Sequence, residues 1–160
     1  MDVSTHVERV RGLVRHPDAG GALQRVCGYL HAAVEHYNWV GFYLASPDDQ
    51  LLLLGPFTGK PTEHLKIPYG RGICGQAANS HDNFVVQDVN AESNYLSCSI
   101  ETKSEIVVPV WHKSQFAGEL DIDSHTESPF TADDERLLEL VAEICAPLVA
   151  SILAPLSTTD

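Results

Sequence analysis

Basic residues are scarce in this chain, with ten lysines and arginines against twenty-two acidic residues and a formal net charge of −12. Nucleic acids and anionic membrane surfaces are bound through clusters of Lys and Arg, so the charge disfavours both classes of partner. An acidic site for a cationic or zwitterionic ligand, such as an amino acid, is compatible with this charge. So is the simpler interpretation that the acids only keep the protein soluble.

Long hydrophobic runs are also missing, and none reaches the ~20 residues that a helix needs to span a bilayer. The most apolar stretch, Val141 to Leu156, is interrupted by Glu143, Pro147 and Pro155. Residues 1–10 carry charges and lack the apolar core of a secretory leader. We therefore expect a soluble, cytoplasmic protein that has no membrane partner.

The four cysteines contain no CxxC pair, so the paired spacing typical of zinc sites is absent and we expect no metal. In a reducing cytosol any disulfide would be transient or catalytic rather than structural. Cys27 and Cys145 fall in the apolar stripes of two predicted helices, which indicates a packing role. Cys74 and Cys98 lie outside these stripes.

Hydrophobic periodicity predicts helices towards both ends of the chain and strands between them. The helices are expected near 3–15, 22–37 and 132–149, the last with Thr131 as its N-cap, and a short one near 76–79. The strands are expected near 38–44, 51–56, 65–69, 83–89, 105–112 and 116–124, with a long loop at 90–103. Strand hairpins flanked by terminal helices indicate an α+β fold, with helices on one face of an antiparallel sheet.

The two cysteines outside the helical stripes differ in their surroundings. Cys98 lies in a polar loop, where a thiol can be exposed and reactive, although a loop cysteine taken alone is more often inert. Cys74 follows the glycine-rich turn that begins at Gly70 and is expected at a helix N-terminus. Backbone N–H groups and the helix dipole there would lower the pKa of its thiol.

Three acidic residues are expected to meet at one end of the sheet. Glu105 begins one strand of a hairpin whose turn is Lys113-Ser114, while Asp121 and Asp123 end the other strand on a shared face. Grouped carboxylates repel one another, so at least one should hold a proton at neutral pH. A protonated acid beside a thiolate suits sulfoxide reduction by a thiol. Solvated strand-end residues are the alternative interpretation.

Six runs of residues, in this order, resemble the free methionine-(R)-sulfoxide reductases, which are single-domain enzymes of the GAF fold. The runs are NWVGFY at 38–43, LGPFTGK at 54–60, GRGICG at 70–75, SEIVVP at 104–109, LDIDS at 120–124 and FT at 130–131. The resemblance implies a single GAF domain over 1–160, with its core at about 22–150 and a helical extension at 1–21. It also implies that loops and a short helix cover a ligand pocket on the sheet face opposite the terminal helices.

The resemblance also implies a role for each matching residue. Cys98 would be the catalytic nucleophile that attacks the sulfoxide sulfur, and Cys74 a second redox cysteine. Glu105, Asp121 and Asp123 would bind the substrate ammonium and the sulfoxide oxygen, with Glu105 and Asp123 taking part in catalysis. The methyl–sulfur end of the substrate would be enclosed by three aromatic residues, Trp39, Phe42 and Tyr43. No bound cofactor is implied: an external thiol such as thioredoxin would be the reductant, and a homodimer is possible.

Two positions depart from the family pattern. Well-characterised members carry a further cysteine, which resolves the sulfenic acid, at the position of His64, and they have a different run before the cysteine matched by Cys98. Cys74 or an external thiol such as glutathione could take over the resolving step. Two other functions remain open: a non-catalytic GAF module that binds a small molecule, and a thiol sensor in which Cys74 and Cys98 form a reversible disulfide.

Overall fold

The computed structural model describes residues 1–96 and 99–157. Four helices are present: α1 Val3–Leu13, α2 Ala19–Ala33, α3 Gly72–Ser80 and α4 Ala132–Ser157. The six strands are β1 Trp39–Ser46, β2 Leu51–Thr58, β3 Lys66–Pro68, β4 Phe84–Val86, β5 Ser104–His112 and β6 Gln115–Ser124. A 3₁₀ turn covers Val89–Ala91.

The strands form one antiparallel sheet in the order β3-β2-β1-β6-β5-β4, which confirms the expected α+β fold. The hairpin of β5 and β6 turns at Lys113 and Ser114, as predicted, and both residues have a positive φ. Two consecutive positive φ angles characterise the type I′ turn, whose twist matches that of the strands it connects. This hairpin sets the register that brings Glu105 opposite Asp123.

Helix boundaries differ from the sequence prediction at three places. Helix α2 ends at Ala33 rather than near Tyr37, because Val34 adopts an extended conformation. Helix α3 begins at Gly72, within the segment expected to be a turn, and α4 continues to Ser157. None of the helices in the described part of the chain is long and apolar enough to cross a membrane.

The two faces of the sheet carry two separate cores. Alternate strand residues, among them Phe42, Ile106, Leu120 and Ile122, point to the face covered by α1, α2 and α4. Cys27 and Cys145 are buried in this helix-side core, as predicted. The intervening residues, including Trp39, Tyr43 and Val107, point to the other face, where α3 and the loops pack.

Helix α4 is fixed on the sheet by a buried acid in its first turn. The Asp134 carboxylate accepts hydrogen bonds from the backbone N–H of Thr131 at 2.8 Å and from the Tyr37 hydroxyl at 2.8 Å. It also lies 2.7 Å from Nε2 of His36. A buried carboxylate with several such partners is stabilised in the fold.

Candidate active site

Strand β6 carries a row of three acids on the face away from the main helices. Glu119, Asp121 and Asp123 alternate along the strand and so point the same way. Glu105 of β5 lies opposite Asp123 and joins the row. All four side chains are buried, with at most 4 % of each residue exposed. The three acids that the sequence placed together are therefore brought together, and they are accompanied by a fourth.

Glu119 is the residue that the sequence analysis missed. It lies two positions before Asp121 in the same strand and pairs with Tyr43 of β1 and Pro109 of β5. Neither of its carboxyl oxygens accepts a well-formed hydrogen bond from a described residue. The alternation that places Asp121 and Asp123 on one face extends to position 119. This period-2 pattern could have identified Glu119 from the sequence.

Helix α3 brings Cys74 onto this acidic row. The helix packs on β5 and β6, and the buried Cys74 is its third residue. The Cys74 Sγ lies 3.8 Å from Oε2 of Glu105, to which it donates a weak hydrogen bond. One donor atom each from Cys74, Glu105 and Asp121 lie within 4.8 Å of one another. A thiol and several carboxyl groups thus share one small volume.

Burial is the main force on the ionisation of these groups. It raises the pKa of Glu119 well above its usual value, and the charge of Asp121 raises it further, although the Cys74 thiol opposes the shift. Burial also raises the pKa of Asp121, against hydrogen bonds from Glu105 and Cys74. Two carboxyl groups can hydrogen-bond to each other only if one holds a proton. Burial and the neighbouring acids therefore favour the protonated forms of Glu119 and Asp121, as expected for grouped acids.

The same surroundings reverse the expected behaviour of Cys74. Burial, followed by the charges of Asp121, Glu105, Glu119 and Asp123, raises the pKa of this thiol well above its usual value. The prediction that the N-terminus of a helix would lower this pKa is wrong. Four neighbouring acids and the loss of water outweigh the dipole of a nine-residue helix. Cys74 is thus held as a neutral thiol in this conformation.

Two of the three predicted aromatic residues form a wall beside the acids. Trp39 and Tyr43 lie on the site face, 6.4 Å apart between ring centroids, and Phe57 of β2 stacks on Trp39 at 5.5 Å. The Trp39 ring lies across Gly41, where a side chain would collide with it. Gly41 in turn pairs with Asp121. The indole is therefore held next to the acidic row.

Phe42 does not belong to this wall. It is fully buried in the helix-side core, on the opposite face of β1 from Trp39 and Tyr43. Successive strand residues point to opposite faces, so one pocket cannot include both Phe42 and Tyr43 as its lining. The expectation that Phe42 encloses a substrate is corrected accordingly.

The loop that contains Cys98 is anchored on its N-terminal side by Asn94. The Asn94 side chain accepts a hydrogen bond from the N–H of Gly72 at 2.9 Å and donates one to the carbonyl of Gly70 at 2.8 Å. The backbone carbonyl of Asn94 accepts a third hydrogen bond, from the Gln76 side chain, at 2.9 Å. Gly72 has a positive φ, and any side chain there would press on Leu96. Cys98 itself lies outside the described residues.

On its C-terminal side the loop is attached by ion pairs. Glu101 lies 2.8 Å from Nζ of Lys60 and 3.5 Å from Nε2 of His125. The carbonyl of Lys60 also accepts a hydrogen bond from the Trp39 indole at 3.0 Å. The exposed Lys60–Glu101 contact thus joins the loop to the segment that holds the aromatic wall.

Two small cavities lie over the acidic row. One, of about 10 Å³, is lined by residues that include Tyr43, Cys74, Leu96, Glu105 and Asp121. The other, of about 30 Å³, is bordered by Trp39, Asp123 and the loop at 99–102. His64 lines the first cavity, and its carbonyl accepts a hydrogen bond from the Tyr43 hydroxyl at 3.1 Å.

A much larger groove, of about 510 Å³, lies at the turn between β1 and β2 and the end of α4. It contains none of the buried acids and no cysteine among its described lining residues. The chemistry of the side chains, rather than the size of the opening, therefore identifies the acidic row as the candidate site.

Comparison with known proteins identifies the family. The model of the GAF domain matches residues 21–148. The free methionine-R-sulfoxide reductase of Escherichia coli (strain K12) is 38 % identical over 138 residues, which cover 86 % of this chain and 78 % of that protein. The chain belongs to the free methionine-R-sulfoxide reductase family. This confirms the resemblance found in the sequence and makes the protein an oxidoreductase of the GAF fold.

Solved structures of free methionine-R-sulfoxide reductases agree with this family. The enzyme from Neisseria meningitidis, in complex with its substrate, superimposes with a TM-score of 0.85 at 31 % identity, covering 92 % of this chain and 89 % of that one. A type II enzyme from Thermoplasma acidophilum gives a TM-score of 0.79 at 39 % identity, covering 82 % and 92 % of the two chains. Members of the family therefore share both the fold and the order of its elements with this chain.

Proposed function

We propose that the protein reduces free methionine-(R)-sulfoxide to methionine, with Cys98 as nucleophile and the acidic row as the binding and proton-donating group. The observation that carries this proposal is the buried set of four carboxyl groups beside an aromatic wall, in a chain of this family. Within the row, Glu119 and Asp121 form no ion pair with a described Lys, Arg or His, which suits a ligand that supplies a positive charge. A free amino acid supplies one in its ammonium group.

The acidic row has acceptor oxygens available for a cationic ligand. Oδ1 of Asp121 has no hydrogen-bond partner among the described residues, and neither oxygen of Glu119 has a well-formed one. Leaving a buried acceptor unsatisfied costs ~1–3 kcal/mol, which a donated hydrogen bond from an ammonium group would recover. The aromatic wall of Trp39 and Tyr43 would contact the apolar end of the same ligand.

The chemistry needs one thiolate and one proton. The Cys98 thiolate attacks the sulfoxide sulfur, the sulfur–oxygen bond breaks, and the oxygen passes to Cys98 as a sulfenic acid. Methionine leaves, reduced by two electrons. A carboxyl group that holds its proton can protonate the oxygen as the bond breaks, and burial, which raises the pKa of Glu119 and Asp121, favours that form.

Cys74 is the proposed resolving thiol. Its thiolate would attack the sulfenic sulfur of Cys98, form a disulfide and release water, after which an external dithiol such as thioredoxin would restore both thiols. The surrounding acids hold Cys74 as a thiol. Neutralisation of those acids by the substrate ammonium, together with loop movement, would favour its ionisation. If Cys74 does not take this role, an external thiol such as glutathione would reduce the sulfenic acid directly.

Substrate entry requires the cavity over the acidic row to widen, through movement of the flanking segments 92–96 and 99–103 of this loop. A cavity of about 10 Å³ holds a single water at most, whereas small-molecule sites begin at roughly 300 Å³. The exposed Lys60–Glu101 contact is the weaker of the two attachments of this loop. Asn94, with its three hydrogen bonds, is the stronger attachment and would stay in place as the opposite end of the loop moves.

The test is an assay with the separated R and S epimers of free methionine sulfoxide and a thiol reductant. We expect turnover of the R epimer only, and its loss in Cys98→Ser. Cys27→Ala, which changes a buried helix-side thiol, is the matched control and should keep the activity of the folded protein. Tight binding of the ligand without turnover, unchanged by Cys98→Ser, would contradict the proposal and favour a non-catalytic binding module.

A further inference from the structure

The donor atoms around Cys74 form a set that a small, thiol-binding metal ion could use. Against the expectation of no metal, which rested on the missing CxxC spacing, we propose that Cys74, Glu105 and Asp121 bind one divalent cation of the zinc class in the reduced protein. These three residues are brought together from α3, β5 and β6, and each is at most 4 % exposed. Metal binding here is independent of the proposed function. Only its consequence, inhibition of turnover, depends on it.

The distances suit tetrahedral coordination. Bonds of ~2.3 Å to sulfur and ~2.0 Å to oxygen place a sulfur and an oxygen ligand about 3.5 Å apart. The observed separation of the Cys74 Sγ and Glu105 Oε2 is 3.8 Å. The third donor, from Asp121, lies within 4.8 Å of both. Small side-chain adjustments would therefore complete a three-ligand site without a change of backbone.

A second observation points to a cation at this place. Oδ1 of Asp121 is buried and accepts no hydrogen bond from the described residues. Glu119 is also fully buried and points to the same face, and neither of its oxygens accepts a well-formed hydrogen bond from a described residue. No described Lys, Arg or His forms an ion pair with either residue. Buried acids without a counter-charge are costly, and a divalent ion would provide that charge.

The donor set selects among metals. Calcium and magnesium take six or more oxygen ligands and have little affinity for sulfur, whereas zinc accepts one thiolate with carboxylates and a water. The adjoining cavity of about 10 Å³ has room for that single water. The ion would displace the thiol proton of Cys74 and the proton shared by the carboxyl groups, so binding releases protons to solvent.

Occupation of this site would exclude the substrate. Asp121 and Glu105 are the acids proposed to bind the ammonium and the sulfoxide oxygen, and Cys74 the thiol proposed to resolve the sulfenic acid. A zinc ion would engage all three at once. Reduced enzyme would be inhibited by zinc, whereas a disulfide at Cys74 would remove the thiolate ligand and release the ion.

The experiment is a titration of metal-free, reduced protein with Cd²⁺, followed by the ultraviolet thiolate-to-metal charge-transfer band. We expect one equivalent per chain, a band that is absent in Cys74→Ser, and affinity at least ~tenfold weaker in Asp121→Asn. Cys98→Ser is the matched control and should retain the band. Zn²⁺ should abolish the band by competition, and Mg²⁺ should have no effect.

Several outcomes would overturn the inference: no band with Cd²⁺, a band that persists in Cys74→Ser, or a band lost in Cys98→Ser but kept in Cys74→Ser. Circular dichroism establishes that each variant is folded, and the two site variants lie in different elements, so a folding failure in one leaves the other informative. If metal-free protein has no reductase activity but the Cys74-dependent band is present, the proposed function fails and the metal site stands.

Discussion

The two faces of the sheet differ in how completely their buried acids are hydrogen-bonded. On the helix side, the buried acid Asp134 has hydrogen bonds from Thr131 and Tyr37 and contacts His36. On the site side, Asp121 and Glu119 are equally buried, but Oδ1 of Asp121 and both oxygens of Glu119 accept no well-formed hydrogen bond from a described residue. The helix side is arranged for stability. On the site side, the incomplete hydrogen bonding of Asp121 and Glu119 costs stability and leaves both able to bind a ligand.

Leu120 and Asp121 are adjacent in the chain but point to opposite faces, so substitutions at these two positions test the two faces separately. Leu120→Ala should lower the free energy of unfolding by ~2–5 kcal/mol, because it opens a cavity in the helix-side core. Urea unfolding measures this change. The KM of the folded variant for the R epimer should be nearly unchanged, and a large rise in KM would show that the faces are not independent.

Asp121→Asn should do the reverse. Loss of the partner of a buried ammonium group costs ~2–5 kcal/mol of binding, so kcat/KM for free methionine-(R)-sulfoxide should fall by roughly 30-fold to several thousand-fold. The free energy of unfolding should stay the same or rise, because a buried, incompletely paired acid is removed. Steady-state kinetics and urea unfolding of the same sample give both numbers. Full activity in this variant would remove Asp121 from the site.

One tyrosine hydroxyl on each face of the sheet donates a hydrogen bond, and the two acceptors differ in charge. Tyr37→Phe removes a hydrogen bond to the buried Asp134 carboxylate and should cost ~1.5–3 kcal/mol, as bonds to charged groups do. Tyr43→Phe removes a bond to the neutral carbonyl of His64 and should cost only ~0.5–1.5 kcal/mol. Thermal or urea unfolding distinguishes them. Equal losses would mean that charge on Asp134 contributes nothing to the helix side.

Glu119 predicts a smaller, pH-dependent effect. Its pKa is raised in the folded protein, so the fold binds a proton that the unfolded chain releases above about pH 4.3. Stability from this group is complete below that pH and is lost as the pH rises towards the folded pKa, by at most ~1.4 kcal/mol per pH unit. Glu119→Gln should flatten the fall in unfolding free energy between pH 5 and pH 8. Glu143→Gln, an exposed change on α4, should leave the slope as in the wild type.

The alternation of residues along the strands predicts more of the site than the residues first selected as candidates. Alternation brought Asp121 and Asp123 to one face and placed Glu105 beside them, as the structure has it. The same alternation includes Glu119 and excludes Phe42, which the family resemblance had grouped with Tyr43. Period-2 geometry is therefore the more reliable guide to which strand residues share a pocket.

The ionisation of Cys74 could not be predicted from local sequence. Its glycine-rich surroundings indicated a turn and a helix N-terminus, and both features point towards a low thiol pKa. The four acids that raise this pKa come from β5 and β6, thirty or more positions away in the chain. Only the packing of α3 on those strands brings them together. The resolving role of Cys74, the external reductant and a homodimer stay predictions.

The proposed chemistry of Cys98 and Cys74 is tested most directly by the intact mass of reduced protein after one equivalent of the R epimer, with no reductant present. We expect one methionine formed per chain, a loss of about two mass units, and a Cys74–Cys98 disulfide in the digested peptides. An unchanged mass with no methionine formed would contradict this chemistry.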